Sequence, residues 1–299
     1  MNNLNQINGL SIIVPVYNEL DFIERSVKSL KSIQLPGNLE KEIIFINDGS
    51  KDGTEKIINN IDGIRIHNHK RNKGYGASIK NGVEISNYEI ICITDADGTY
   101  PEDKIYDLLD SLLKENLDMV IGSRTGKNVN IPLIRRPAKW LIGKLADYVT
   151  GKRIPDINSG LRVFKKKSFL RFINIIPDGF SLTTTITLGM ILGNYKLKFV
   201  DINYAKRLGK SKIRPIRDTI NFIKLILRIG LYFSPFKIFI PISAFLFFIG
   251  LLWGIITKYI FGELADVSSL IIIIASFQTF LFSLIGELIN KRMPNRFDK

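Results

Sequence analysis

Asp95 and Asp97 flank one small residue, Ala96, directly after the apolar run Ile90, Ile91, Cys92, Ile93. Two carboxylates placed that way on an extended or turning chain can approach one hard cation, and Mg²⁺ or Mn²⁺ would then bridge the phosphates of a nucleotide. An Asp-x-Asp pair also occurs in ordinary loops, where such acids cap helices, and Thr99 ahead of a helix opening at Pro101 fits a capping role too. The position of the pair gives it weight. Pro15, Tyr17, Asn18 and Glu19 follow one apolar run, Asn47, Asp48, Gly49 and Ser50 a second, and Gly122, Ser123 and Arg124 another. Several runs thus deliver acids, amides and a guanidinium to one rim.

Two further segments have matching chemistry. Asn47 to Thr54 carries two turn glycines before a helix; it reads as a turn capped by Ser50 or Asp52, and also as a place where Asp48 can accept from a base or ribose. Asn72, Gly74, Gly76 and Ala77 open a helix near Lys70, Arg71 and Lys73, an arrangement able to take a phosphate or sugar edge. The full dinucleotide fingerprint is absent because residue 79 is Ile, which argues against a nicotinamide enzyme. His67 and His69 have no carboxylate at metal-ligand spacing and receive no role. Thr183, Thr184, Thr185 and Thr187 belong to a helix or strand.

The elements that must position these residues alternate in type. Ser11 to Val16, Glu42 to Ile46, Ile64 to His67, Glu89 to Thr94 and Met119 to Gly122 read as strands, and Asp21 to Ile33, Asp52 to Ile61, Ala77 to Ile85 and Pro101 to Lys114 as helices. Strict alternation predicts an α/β fold with a largely parallel sheet covered on both faces. Ligands of such sheets gather beyond the carboxyl ends of the strands, where the polar motifs fall. The chain has 299 residues, 45% of them hydrophobic, which excludes disorder and a disulfide-stapled miniprotein. Its single cysteine, Cys92, can form neither an intramolecular bridge nor a cysteine-pair zinc site. A net charge of +14 fits nucleic acid, anionic lipid or phosphate-bearing substrates, and acidic strand ends at the rim argue against nucleic acid there.

The carboxyl-terminal quarter differs in composition. Ile238 to Thr257 and Val267 to Gly286 each run for 20 residues without an ionisable side chain, about 30 Å of helix and enough to cross a bilayer. They read as a membrane hairpin spanning 236–290. The connecting loop, with Lys258, Glu263 and Asp266, carries −1, and the tail 291–299 carries +3. The positive-inside bias therefore places both ends in the cytosol, with residues 1–237 holding a charge of +13 that can face anionic head groups. Met1 to Leu10 lack an apolar core, so no signal peptide is expected. Before the first span, Ile216, Ile220, Ile223, Leu227 and Leu231 recur at helical spacing among Arg214, Arg217, Lys224 and Arg228. This predicts an amphipathic helix over 214–235 lying in the membrane plane, the alternative being a core-facing helix with a solvated basic side.

With these residues assembled, the chain resembles the GT-A-fold (Rossmann-like) glycosyltransferases of family two, specifically the dolichyl- and undecaprenyl-phosphate sugar transferases. The resemblance covers about residues 10–215 and rests jointly on SIIVPVYNE (11–19), NDGSKDGT (47–54), DADGTYP (95–101), GSR (122–124), DINSGLRVF (156–164) and RLGKSK (207–212). It implies a cytosolic catalytic domain over 1–213 and inverting transfer of a hexose, glucose or mannose, from a UDP- or GDP-sugar to a polyprenyl phosphate at the cytosolic membrane face. It further implies that Pro15, Tyr17, Glu19 and Asp48 hold the nucleoside, and that Asp95 and Asp97 bind Mg²⁺ or Mn²⁺ on the diphosphate. Arg124, Arg207, Ser211 and Lys212 would face phosphates of donor and acceptor, and Asp156 would lie by the reaction centre. Asn47 replaces the first acid of the usual Asp-Asp-Gly-Ser, and Thr99 stands where some relatives place a further metal ligand, Gln.

Asp156 would position acceptor or sugar, or take a residual proton; a structural salt bridge to Arg162 or Arg153 is the alternative. Arg135 and Arg136, near Trp140 and Lys144, fit either a lipid head group or a solvated basic helix. A processive polysaccharide synthase is excluded by the absence of Arg-Trp. A glycolipid synthase with a hydroxyl acceptor, or a non-catalytic membrane scaffold, remains distinguishable by assay. Two spans alone expose helix surface to lipid, so self-association as a homo-oligomer is compatible with the sequence.

Overall fold

A computed structural model describes residues 8–37, 39–125, 136–205, 215–262 and 267–292. Seven strands form one sheet in the order β3-β2-β1-β4-β6-β5-β7: β1 (Gly9–Val16), β2 (Glu40–Asn47), β3 (Arg65–Asn68), β4 (Ile90–Ile93), β5 (Met119–Ser123), β6 (Arg162–Lys165) and β7 (Leu197–Asp201). The expected parallel sheet holds except at β6, which runs antiparallel between β4 and β5. Strand order reverses between β1 and β4, since β2 and β3 extend to one side and β4 to the other. A crevice beyond the strand ends at such a reversal is where open α/β sheets place ligands.

Both faces of the sheet are apolar, which is why its strands read as continuous hydrophobic runs. Ile12 and Val14 of β1 point to one face and Ile13 to the other. The first face is covered by α1 (Ile23–Ser32), α2 (Thr54–Ile58) and α4 (Lys104–Lys114), through Val27, Leu30, Ile58, Ile105 and Leu108. The second is covered by α3 (Tyr75–Ile85), α6 (Lys166–Leu170) and α7 (Leu182–Leu192), through Ile79, Val83, Phe169, Leu182 and Ile186. Each side chain so buried contributes roughly 1.5–3 kcal/mol. The four threonines in question all lie buried on α7.

Two helix starts differ from the sequence reading. The helix expected at Pro101 begins at Lys104, and Thr99 donates its hydroxyl to Asp97 Oδ1 at 2.6 Å rather than capping it. The helix expected at Asp52 begins at Thr54 with Gly53, φ 96°, at its cap position. Asp52 still serves the helix start, its Oδ1 accepting from Thr54 N–H at 3.0 Å, and with Ser50 it also stitches two loops together: Asn18 N–H donates to Ser50 Oγ at 3.0 Å and Leu20 N–H to Asp52 Oδ2 at 3.1 Å.

Helix α8 (Pro215–Phe233) packs against α7 and α5 (Arg136–Thr150). Its core-facing residues are Ile226 and Ile229, with Phe222, Leu225 and Phe233 beside them. Of the stripe read from sequence, Ile220 and Leu231 are exposed and Ile223 and Leu227 half-buried, while the Ile216 side chain lies outside the described residues. The stripe is a second apolar face, about half a turn around the helix from the first at 100° per residue. Helices α9 (Pro235–Phe261) and α10 (Val267–Arg292) follow, both long and apolar enough to cross a membrane. They pair closely where Ser243 and Ser276 each donate a hydroxyl to the other's carbonyl at 3.0 and 2.9 Å, and Gly254 faces Ser269. Glu263, Asp266 and residues 293–299, which carried the charge-bias argument, lie outside the described residues.

The start of α3 meets the 177–179 backbone without intervening side chains. A Cβ at Gly76 would lie 2.1 Å from the Pro177 carbonyl oxygen. Gly76→Ala should therefore destabilise the protein by about 1–3 kcal/mol, read as a lowered unfolding midpoint in detergent; an unchanged midpoint would contradict this packing.

Candidate active site

The sheet aligns the candidate residues along its carboxyl rim in spatial order. Asp48 follows β2, Pro15, Tyr17 and Glu19 lie at or just past the end of β1, Asp95 and Asp97 follow β4, and Arg124 follows β5. Because β6 is antiparallel, the loop that precedes it, residues 156–161, reaches the same rim. That orientation brings Asp156 to Arg124.

The two side chains form a forked pair: Arg124 Nε donates to Asp156 Oδ2 at 2.7 Å and Nη2 to Oδ1 at 2.9 Å. The backbone N–H groups of Arg124 and Asn158 add donors at 3.1 Å each. Burial acts to raise the Asp156 carboxyl pKa, but the Arg124 hydrogen bonds and charge together with those amides outweigh it and hold the group below its usual range. Asp156 is thus a fixed anion near neutral pH, and its salt-bridge partner is Arg124 rather than Arg162 or Arg153. The Arg124 guanidinium also lies 5.3 Å from the centre of the Tyr204 ring, which packs edge-on against Tyr100.

Asp48 is engaged by its own surroundings. Its Oδ1 meets His69 Nδ1 at 2.7 Å and accepts from Lys73 N–H at 2.8 Å, while Oδ2 accepts from Gly74 N–H at 2.9 Å. Asn81 Nδ2 lies 2.7 Å from His69 Nε2. With that amide as donor, Nε2 is the acceptor and Nδ1–H donates to Asp48. Asp48 therefore fixes the glycine turn at the start of α3, where Gly74 has φ 105°. His69, given no role from sequence, is buried at the centre of this network; its carboxylate is 21 positions distant in the chain, and no local spacing reveals it.

Asp95 and Asp97 are both half-buried at the rim. Asp97 Oδ1 accepts from Thr99 N–H at 3.1 Å as well as from the Thr99 hydroxyl, which fixes its rotamer. Asp95 lies close against Gly160: a Cβ there would stand 3.0 and 3.1 Å from its two carboxylate oxygens, so the carboxylate would have to shift by a few tenths of an ångström. The Tyr75 hydroxyl is buried close to Asp95 without a hydrogen bond of normal geometry, and burial, then the Asp95 charge, pushes its pKa well above the usual value. Among the described residues no three His, Cys, Asp or Glu side chains converge as a closed metal cage. Two carboxylates on one rim suit a hard divalent cation that keeps water and phosphate oxygens as its remaining ligands. Arg135, Arg207, Ser211 and Lys212, and the Arg136 side chain, lie outside the described residues. Trp140 is exposed on α5.

Residues 11–172 match glycosyl transferase family 2, and the chain belongs to that family. Residues 234–291 match the GtrB C-terminal hairpin. Among curated relatives, the dolichyl-phosphate hexose transferase of Haloferax volcanii is 26% identical over 210 residues, 70% of this chain and 88% of that protein. The prophage bactoprenol glucosyl transferase homolog of Escherichia coli K12 is 28% identical over 173 residues, 56% of each chain. Among solved structures, glucosyl-3-phosphoglycerate synthase from Mycobacterium tuberculosis, in complex with Mn²⁺, UDP-glucose and phosphoglyceric acid, matches with a TM-score of 0.56 at 18% identity, covering 75% of this chain and 80% of that one. The fold is that of GT-A glycosyltransferases.

The Arg124–Asp156 pair makes a stability prediction with a defined sign. Asp156→Asn should cost about 3 kcal/mol by leaving a largely buried guanidinium without its counter-charge. The carboxyl pKa is depressed in the folded state, so the pair's contribution is present above the unfolded value of 3.8 and lost as pH falls through the lower folded value. Denaturant unfolding of both proteins should show a constant gap above about pH 5 that shrinks below pH 4; a gap that narrows between pH 8 and 6 would contradict the assignment.

Proposed function

We propose that this protein transfers a hexose, glucose or mannose, from a UDP- or GDP-sugar to a polyprenyl phosphate at the cytosolic membrane face, inverting the anomeric centre. One observation carries the reading: a carboxylate-bearing rim at the β1/β4 reversal occurs in the same chain as an apolar hairpin of the GtrB type. The named relatives, which use dolichyl or bactoprenol carriers, support it.

In this reading Pro15, Tyr17, Glu19 and Asp48 form the nucleoside side of the crevice, with Asp48 acting largely by holding the Lys73–Gly74 turn. Asp95 and Asp97 would hold Mg²⁺ or Mn²⁺, whose positive charge offsets the charge developing on the departing diphosphate. The Mn²⁺ bound with UDP-glucose in the structural neighbour agrees with that assignment. The acceptor needs little base catalysis, because a phosphate monoester has its second pKa at about 6 and is already anionic near neutral pH. Asp156, ionised and locked to Arg124, is suited to orienting that guanidinium rather than to taking a proton. The Arg124 edge not used by Asp156 meets an acceptor or donor phosphate, aided by Arg207, Ser211 and Lys212.

The membrane arrangement follows the charge distribution. Residues 1–213 form the cytosolic catalytic domain, 214–235 an interfacial helix, 236–290 the spanning hairpin and 291–299 a basic cytosolic tail. The second apolar face of α8, together with Trp140, Arg135 and Arg136, would rest at the lipid surface.

Purified protein in lipid nanodiscs, given radiolabelled nucleotide hexoses, polyprenyl phosphate and Mg²⁺ or Mn²⁺, should label the polyprenyl phosphate. Asp95→Asn and Asp97→Asn should each lower that rate by roughly a hundredfold or more, since the cation supplies several kcal/mol. Label appearing instead in diacylglycerol would show a hydroxyl-acceptor glycolipid synthase, and full activity in both variants would overturn the metal assignment.

A further inference from the structure

Among the described residues, the largest fully buried side chain is a cation, Arg162, at the first position of β6. It stands opposite Ile93 of β4 on one side and Ile121 of β5 on the other, beneath the rim. Burial pushes its pKa down to about 10, so it remains charged near neutral pH. Taking a guanidinium out of water costs several kcal/mol unless its donors are satisfied. Here the oxygen acceptors are neutral: the Ser159 carbonyl takes Nε at 3.2 Å and Nη2 as well, and Nη1 donates to the Thr183 carbonyl at 3.3 Å and the Thr187 hydroxyl at 3.2 Å. The cation therefore ties the turn before β6 to the first two turns of α7.

That turn is the wall behind the metal carboxylate. Ser159 donates its hydroxyl to the Gly122 carbonyl, Gly122 N–H donates to the Leu161 carbonyl at 3.0 Å, and Gly160 N–H donates to the Tyr100 hydroxyl at 2.6 Å. These bonds hold the Gly160 backbone close against Asp95, where a Cβ at Gly160 would require the carboxylate to shift by a few tenths of an ångström. Arg162 holds the Ser159 carbonyl by two donors from a rigid planar fork that lysine cannot reproduce.

We propose that Arg162 is a positioning residue for the divalent-cation site: by gripping the Ser159 carbonyl from beneath the sheet rim, it holds Gly160 against Asp95 and sets where that carboxylate meets a metal–diphosphate ligand. The inference rests on the metal reading given under Proposed function. It assigns Arg162 no contact with substrate.

The test measures Mn²⁺ binding to the full-length protein in nanodiscs by electron paramagnetic resonance, with UDP or GDP present, for wild type, Asp95→Asn, Arg162→Lys and Thr187→Val. Arg162→Lys should raise the Mn²⁺ dissociation constant by about 10–100-fold, as for other supports of metal ligands. Thr187→Val, which removes one acceptor, should raise it roughly threefold. Binding of the nucleoside diphosphate without metal, followed by calorimetry, should stay unchanged in both. A purely architectural role would lower the unfolding midpoint and leave the Mn²⁺ dissociation constant of the folded protein at the wild-type value, which overturns the proposal. Should Arg162→Lys not fold, Thr187→Val decides by the same criterion. Loss of Mn²⁺ binding in Asp95→Asn with normal binding in the other two overturns this inference alone; wild-type binding in Asp95→Asn overturns the metal reading and this inference together.

Discussion

The forked pair between Arg124 and Asp156 joins the end of one strand to the approach of the next, and the working rim depends on it. Arg124 follows β5 and Asp156 lies ahead of β6, so the pair closes only because β6 runs against its neighbours. In an all-parallel sheet, the segment before a strand lies at the amino-terminal edge, away from ligands. One reversed strand thus doubles the chain available to the site: the loop after β5 and the loop before β6 meet at one place. The pair also explains why Asp156 stays ionised although buried. An anion and a cation in fork geometry hold each other's charge at a cost that neither could meet alone.

Much of this rim was legible in the chain. DADG after an apolar run, GSR after another and the alternation of strand and helix located β1 to β5 and the residues that follow them, because a strand buried on both faces is an unbroken apolar run and its end is marked by a change to polar residues. The direction of β6 was not legible. Arg162, Val163, Phe164 and Lys165 are too few to show a period, and strand direction is a property of pairing rather than of composition. The same limit hid the His69–Asp48 contact and the partner of Asp156. Each is set by two segments that meet only after the sheet forms.

The helix that leads to the hairpin shows a different limit. A periodic stripe in α8 is real, yet the residues that enter the core are Ile226 and Ile229, on nearly the opposite side. Periodicity detects that a helix has an apolar face and cannot say which of two such faces meets protein. Two faces are what a connecting helix needs. One grips α5 and α7, so that the catalytic domain and the hairpin are coupled through packed side chains rather than by a linker.

The pairing of Arg124 changes the charge accounting of the reaction. Read as a sequence, Arg124 is a free cation facing two phosphates; in the folded chain Asp156 neutralises it, and only the directional donors on its remaining edge are left to recognise an anion. Two phosphate groups brought to a few ångströms repel by about 4 kcal/mol per pair of unit charges at an effective dielectric near a protein surface. A neutral ion pair cannot offset that repulsion by charge alone. On the proposed reading, a divalent cation would meet the donor diphosphate at Asp95 and Asp97, whose two negative charges it would balance, and the net positive charge for the acceptor would come from basic residues such as Arg135, Arg207 and Lys212. On this argument the rim orients its ligands, and the attraction for an anionic acceptor would come from the chain's net charge of +14 rather than from the Arg124–Asp156 pair.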